Sequence, residues 1–167
     1  MSSGRIKLLR TIRFDASDDA VYDLAAGADE WAVSGAFAFA DLPDEALTGK
    51  TRQAFVNGFL GVPGLGRSTF VTVGEADEDA VSELVYRLAL HFVDAYGAPD
   101  IAAAMPAADA EVAFARSLAE GQPINTVLTV LRRRGEDGEI REQFRTIRPP
   151  SAEPLHARIF SVEPDGT

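Results

Sequence analysis

The chain has no cysteine among its 167 residues. This absence excludes disulfides, thiolate metal sites, cysteine-ligated iron–sulfur clusters and cysteine nucleophiles. Basic residues are also few, because 16 Lys and Arg stand against 26 Asp and Glu, for a formal net charge of −10. Nucleic acids and anionic membrane surfaces attract proteins through a basic footprint, so we expect neither as a partner.

Long apolar runs are missing as well. No stretch approaches the roughly 18 residues that a membrane-spanning helix requires. The first residues, MSSGRIKLLRTIRFD, lack the apolar segment of a secretory signal, and we therefore expect a cytoplasmic protein.

Motifs of common catalytic sites are absent too. The two histidines, His91 and His156, lie too far apart in the sequence for metal-ligand spacing, and no serine stands in a G-x-S-x-G motif. The acidic clusters at 15–19 and 75–79 do not have the alternating oxygens and central glycine of a calcium loop. The sequence therefore predicts no catalytic residue, metal or cofactor.

The composition is that of one globular domain. Hydrophobic residues make up 46% of the chain, and ten phenylalanines supply bulk for a core. The length suits a single domain over 1–167, and we expect an ordered core over about 5–162 and a frayed tail at 163–167.

Apolar periodicity predicts the order of the helices and strands. Alternation predicts a strand over 6–14, and Asp137-Gly138 between two strand-like runs predicts a C-terminal β-hairpin. Since strands cluster near the end, we predict an α+β fold with a mostly antiparallel sheet and helices packed on it. The other predicted strands are 31–40, 68–73, 126–133, 140–148 and 155–162, and the predicted helices are 18–26, 43–60, 77–96 and 106–120.

The run WAVSGAFAFA at 31–40 is apolar on both faces of an extended chain. Such a run predicts a central strand that is covered on both sides. One of its faces would carry only alanine and serine, which is a smooth surface for a helix or for a second copy of the protein.

The segment GVPGLGRST at 61–69 has the glycine spacing of a nucleotide-binding loop, with Arg67 in place of the lysine. A predicted helix precedes it and a predicted strand follows, which is the reverse of the nucleotide-binding order, and Pro63 removes one N–H donor. We therefore predict a helix-to-strand connection in which Gly61 ends the helix. A second interpretation is that Arg67, Ser68 and Thr69 bind a carboxylate or phosphate.

Two further arginines are candidates for the same anion site. Arg10 shares its parity with the apolar residues of the first strand, so it would point inward unless a structural acid pairs with it or a bulge turns it outward. Arg145 lies in the charged strand IREQFRTIR, for which a solvated edge is the usual explanation. The arginines at 132–134, next to the hairpin turn, are expected to be exposed.

A family resemblance extends over about 5–148. It rests on the segments KLLRTIRFD, EWAVSGAFAFA, GRSTFVTV, HFVDAYGAPD and GEIREQFRTI. Together they resemble a family of small, uncharacterised proteobacterial proteins with no established function. The resemblance implies no activity, cofactor or site residue. We expect a non-catalytic accessory or binding protein that acts through a protein surface, with self-association as a homodimer as one form. The alternative is a small-molecule-binding protein or enzyme that grips an anionic group with Arg67 and neighbouring arginines.

Overall fold

Eight strands and four α-helices follow one another in the part of the chain that the computed structural model describes, which is 6–13, 16–147 and the backbone of 159–162. The strands are β1 Ile6–Ile12, β2 Trp31–Val33, β3 Phe59–Gly61, β4 Arg67–Ser68, β5 Phe70–Ala76, β6 Val127–Arg134, β7 Ile140–Ile147 and β8 Ile159–Val162. The helices are α1 Ser17–Val21, α2 Gly49–Asn57, α3 Glu78–Tyr96 and α4 Ile101–Glu120, with 3-10 turns at Ala36–Phe39 and Asp44–Ala46.

The strands form one antiparallel sheet in the order β4-β3-β2-β1-β5-β6-β7-β8. The β6–β7 hairpin turns at Gly135 and Gly138, and the positive φ of 84° at Gly138 is one that glycine adopts without strain. The predicted α+β class, the antiparallel sheet and the C-terminal hairpin are therefore confirmed. The predicted limits of the ordered core and of the tail at 163–167 fall partly outside the described residues and stay predictions.

The sheet is strongly curved. The carbonyl of Gly58, just before β3, accepts a hydrogen bond of 2.8 Å from Arg132 on β6. These two strands are four spacings apart in the sheet, which is about 19 Å if the sheet were flat. The ring of Phe59 on β3 also lies 6.1 Å from that of Phe144 on β7. The sheet therefore curls around a concave face, on which these side chains meet.

Helices α3 and α4 complete the core on that side. Phe114 of α4 packs 5.6 Å from Phe144, and α3 contributes Leu84, Leu88 and Phe92 to the same buried cluster. Each helix begins at an aspartate whose side chain accepts an N–H three residues on, Asp77 in α3 and Asp100 in α4. None of the helices in the described part of the chain is long and apolar enough to cross a membrane.

Helix α4 begins at Ile101 and not near Pro106, as predicted. The Asp100 cap and the alanine-rich first turns favour an earlier start, and Pro106 forfeits one intrahelical hydrogen bond. The predicted helix over 18–26 is also wrong beyond Val21. The chain from Leu24 to Ala26 instead exchanges backbone hydrogen bonds of 2.8 Å with Arg67, so it covers the outer edge of β4.

The predicted strand over 31–40 is wrong beyond Val33. Gly35 has a φ of 80°, and the chain turns there into the 3-10 helix Ala36–Phe39. Periodicity missed this turn because both alternatives bury the same apolar residues. The continuous alanine face therefore does not form, since Ala32 is fully buried and Ala40 is exposed.

The predicted helix over 43–60 is divided in the structure. A 3-10 turn at Asp44–Ala46 precedes α2, and β3 follows Gly58 as a separate strand. Pairing with β2 places Phe59 and Leu60 in the core, which outweighs the helical spacing of this segment. The segment 61–69 is consequently the tip of a β-hairpin between β3 and β4, and not a helix-to-strand connection. The predicted strand 68–73 is likewise two strands, β4 and β5, that pair with different neighbours.

Core packing of α3 gives a first testable prediction. Leu88 is fully buried and Leu90, two residues away, is exposed. We expect Leu88→Ala to lower the free energy of unfolding by about 2–5 kcal/mol, because it leaves a cavity in the core. Leu90→Ala should change it by less than about 0.5 kcal/mol. Urea unfolding of both variants checks this, and equal losses would contradict the position of α3.

Candidate functional site

Two buried arginines, Arg132 and Arg67, lie close together and share the carbonyl of Gly58 as an acceptor. Arg132 of β6 is 2% exposed, and its Nε donates to the Glu142 carboxylate of β7 at 2.8 Å. Its two Nη atoms donate to backbone carbonyls of two separate segments, which are those of Ser34 after β2 and of Ala54, Phe55 and Gly58 at the end of α2. A buried guanidinium with this many acceptors is well satisfied.

Arg67 of β4 lies beside Arg132 and has fewer acceptors. Its Nη1 donates to the same Gly58 carbonyl at 3.2 Å, and its Nη2 donates to the Gly35 carbonyl at 3.2 Å. The guanidinium carbon is 4.7 Å from the centroid of the Phe39 ring, which is a cation–π distance. Within the described residues no carboxylate makes an ion pair with Arg67. Its charge therefore rests on neutral carbonyls and an aromatic ring.

The two neighbouring guanidinium groups repel each other, which makes it less favourable for each to carry its charge. Burial, together with the neighbouring charge of Arg132, lowers the pKa of Arg67 to about 9, so that it is a cation at pH 7. Burial also lowers the pKa of Arg132, and Glu142 opposes this effect.

Glu111 of α4 is the fourth charged group of the cluster, after Arg132, Glu142 and Arg67. Burial, with a contribution from the Glu142 charge, raises the pKa of Glu111 to about 7, against the attraction of Arg132. Glu142 also contacts the hydroxyl of Ser34 through a short hydrogen bond. With Glu111 about half ionised at pH 7, two arginines face less than two full negative charges. The buried cluster is therefore short of anionic charge.

A family model described as "Family of unknown function (DUF6505)" matches residues 6–162. The chain belongs to this family. No curated protein and no solved structure matches it. In the described part of this DUF6505 protein, no group of three His, Asp or Glu is placed to hold a metal ion.

The hydroxyls predicted to join Arg67 in an anion site have internal partners. Ser68 donates to the Phe70 carbonyl at 2.7 Å. Thr69 donates to Asp18 at 2.9 Å and also lies 2.7 Å from the hydroxyl of Tyr22. These contacts bind α1 and the following loop to the start of β5.

The other two candidate arginines lie among different neighbours. Arg10 stacks 5.9 Å from the Trp31 ring, and its Nε is 4.0 Å from the Asp29 carboxylate. Arg145 is exposed on β7, opposite Thr129 of β6. Arg67, Ser68 and Thr69 are consecutive in the chain, but their side chains bind different partners. The described contacts of Arg10 and Arg145 are made elsewhere again. Anion binding by any of these five residues stays a prediction.

The sequence analysis missed the central residue of the cluster. Residues 132–134 were expected to be exposed, and this is wrong for Arg132, while Arg134 is half-buried and donates to the carbonyls of Phe39 and Leu42. Period two along β6 carried the signal, because Arg132 has the parity of the buried Leu128 and Val130. The hairpin turn then sets Glu142 directly opposite Arg132.

The burial of Arg132 generates a second prediction. We expect Arg132→Met to destabilise the protein by about 3–5 kcal/mol, because it leaves the Glu142 carboxylate and several carbonyls without their donor. Arg133→Met, one residue along on the exposed face, should change stability by less than about 0.5 kcal/mol. Urea midpoints with unchanged slopes would measure both. Similar midpoints for the two variants would contradict the role of buried Arg132 in stabilising the fold.

Glu111 generates a third prediction, on pH. Its folded pKa of about 7 lies above the ordinary value of 4.5. The folded protein therefore holds this proton more tightly than the unfolded chain does, and this contribution to stability is lost as pH rises from 4.5 to 7. We expect Glu111→Gln to flatten that decline and to exceed the wild type in stability at pH 8 by on the order of 2 kcal/mol. Glu120→Gln, exposed on the same helix, should keep the wild-type pH profile. Urea unfolding between pH 5 and 8 measures these profiles, and an unchanged slope in Glu111→Gln would contradict the assignment.

Proposed function

We propose that this DUF6505 protein is a non-catalytic accessory protein that binds an acidic segment of another protein through the outer face of β6 and β7. The observation that carries the proposal is a set of exposed aliphatic and arginine side chains on the convex side of the hairpin. The cytoplasmic location and the proteobacterial distribution expected from the sequence belong to the same proposal.

The convex side of the hairpin, here called the outer hairpin face, consists of alternate residues of the two strands. Leu131 is 45% exposed and Ile147 is 42% exposed, although both are large aliphatic residues. The helices α2 and α4 contact the opposite side, through the α2 carbonyls that bind Arg132 and through Phe114 on Phe144. By register, the outer hairpin face consists of Val127, Thr129, Leu131, Arg133, Arg141, Gln143, Arg145 and Ile147.

The charge of this face is opposite to that of the whole chain. It carries three arginines and no acidic residue, whereas the chain has a net charge of −10. Arg133 and Arg141 stand directly opposite one another, which is a repulsive arrangement that an acidic partner would relieve. Arg141 has Asp137 at 3.4 Å, while Arg133 and Arg145 make no ion pair within the described residues. Charge complementarity therefore favours an acidic partner.

The same charges argue against two other partners. Nucleic acid would meet repulsion from the acidic remainder of the molecule. A symmetric homodimer through this face would bring two sets of arginines together. The alanine face that favoured self-association does not form, so a second copy would have to present acidic residues to the outer hairpin face. A different, acidic protein needs no such arrangement.

Peptide binding tests the proposal. The probe is a labelled synthetic peptide in which glutamate alternates with valine or leucine, with a lysine-for-glutamate version as its counterpart. We expect the acidic peptide alone to bind, and more weakly as salt rises, because the attraction is between exposed charges. Fluorescence anisotropy measures the affinity.

Charge-matched variants locate the binding surface. Arg133→Glu with Arg145→Glu should weaken acidic-peptide binding at least about tenfold, which is about 1.4 kcal/mol. Arg52→Glu with Arg116→Glu makes the same change in net charge at exposed positions of α2 and α4 and should leave the affinity within about twofold. Equal weakening by the two pairs, or no binding of the acidic peptide, would refute the outer hairpin face as the docking surface.

A further inference from the structure

We propose that Arg67 is the recognition residue of a binding site for a small organic monocarboxylate, which reaches it between Phe37 and Tyr96. This site lies where β4 approaches Gly35 and Gly58, and it shares no residue with the outer hairpin face.

The two buried arginines differ in a way that points to a missing acceptor at Arg67. Arg132 has a carboxylate at 2.8 Å and carbonyls at 2.8 and 2.9 Å. Arg67 has two carbonyls at 3.2 Å, a length at the long end for an N–H···O bond and well beyond that of a charge-assisted one. A guanidinium has five N–H donors in a planar fork that matches a carboxylate. An arriving carboxylate would therefore gain donors that the described residues leave unused.

Arg132 has the Glu142 carboxylate as its ion-pair partner, whereas Arg67 has no ion-pair partner among the described residues. Arg67 is therefore short of one negative charge. A single carboxylate removes that shortage, whereas a phosphate dianion would leave an excess beside Glu142 and Glu111. Nearby Tyr22 and Tyr96 add no charge at pH 7, because burial raises the pKa of each.

An aromatic cluster includes Phe37, which lies in the 3-10 helix after Gly35, the residue whose carbonyl accepts from Arg67. The rings of Phe37, His91 and Tyr96 form an edge-to-face cluster, with Phe37 5.5 Å and His91 5.3 Å from Tyr96. Burial lowers the pKa of His91, with a smaller contribution from the charge of Arg67 and against the attraction of Asp94. His91 is consequently neutral at pH 7 and does not compete for the carboxylate.

The same cluster supplies the entry and the specificity. Arg67 is 9% exposed, and Tyr96 is 47% exposed at the last turn of α3, where an outward rotation of its ring opens a path. The partly exposed ring of Phe37 offers an apolar surface for the body of the ligand. An aromatic or short-chain acid therefore suits the site better than acetate does, because it adds apolar burial to the ion pair.

Ligand-dependent stability tests the site in the whole protein. The probes are sodium benzoate, acetate and phosphate, each compared with chloride at equal ionic strength. We expect benzoate to raise Tm saturably, with a gain of about 4 °C or more once it exceeds its Kd about a hundredfold, and acetate to act more weakly. Absence of any benzoate effect beyond chloride would overturn the proposal. An equal effect of phosphate would also overturn it, because the site would then not select a monocarboxylate.

Variants separate binding from folding. Arg67→Gln should abolish the benzoate shift. Because Arg67 also supports the carbonyls of Gly35 and Gly58, a pair of surface variants gives a second measurement that does not depend on the folding of Arg67→Gln. Tyr96→Ala should change the Kd for benzoate at least about fivefold, whereas Tyr86→Ala, 48% exposed on the same helix, should leave it unchanged. Equal effects of the two tyrosine variants would overturn the proposed entry.

Discussion

The burial of one charged side chain, Arg132, connects most features of this fold. A guanidinium away from water needs acceptors for its donors, and Arg132 finds them in Glu142 and in carbonyls after β2 and at the end of α2. The carbonyl of Phe55 is one of those left open at the C-terminal end of α2, where the helix dipole also favours a cation. The carbonyl of Ser34 is available because the chain leaves the sheet after Val33. The curvature of the sheet and the irregular segment after β2 thus both bring acceptors to the same buried charge.

Close neighbours, Arg67 among them, explain two glycines that the periodic patterns do not. A Cβ at Gly35 would lie 2.6 Å from the Cβ of Leu60 and 2.7 Å from the Nη1 of Arg67. A Cβ at Gly58 would lie 2.9 Å from the Ala54 carbonyl oxygen and 3.1 Å from the Cδ of Arg67. Both positions must therefore stay bare for the guanidinium to reach their carbonyls. The glycines at the break in WAVSG and at the end of α2 thus suit both the local backbone and a side chain from a distant strand.

The sequence predicted those parts of the fold whose signals are local. The α3 stripe, the alternation of β1 and the Asp137-Gly138 turn each lie within one element, and all three appear in the structure. The predictions for segments 31–40 and 59–61 were wrong because the same apolar residues can be buried in a strand, a 3-10 turn or a helix. Only pairing with distant strands decides between these structures. In the site, the glycine loop drew attention to Arg67. The sequence analysis did not recognise Arg132 as buried, because its two neighbouring arginines are more exposed. The alternation along β6 nevertheless places Arg132 on the inward face. Glu111 belongs to another element, and no local pattern could bring it to the cluster.

The β6–β7 hairpin joins the interior of the protein to its proposed binding surface. Arg132 is held inside by five different groups, while its neighbours Leu131 and Arg133 point to the convex side. A strand anchored so firmly from within presents its outer side chains on a rigid backbone. A partner that binds there pays little conformational entropy on this side of the interface, since few groups remain to be ordered. The internal ion pair thereby supports the proposed recognition on the opposite face, although the Arg132 side chain itself has no exposed surface.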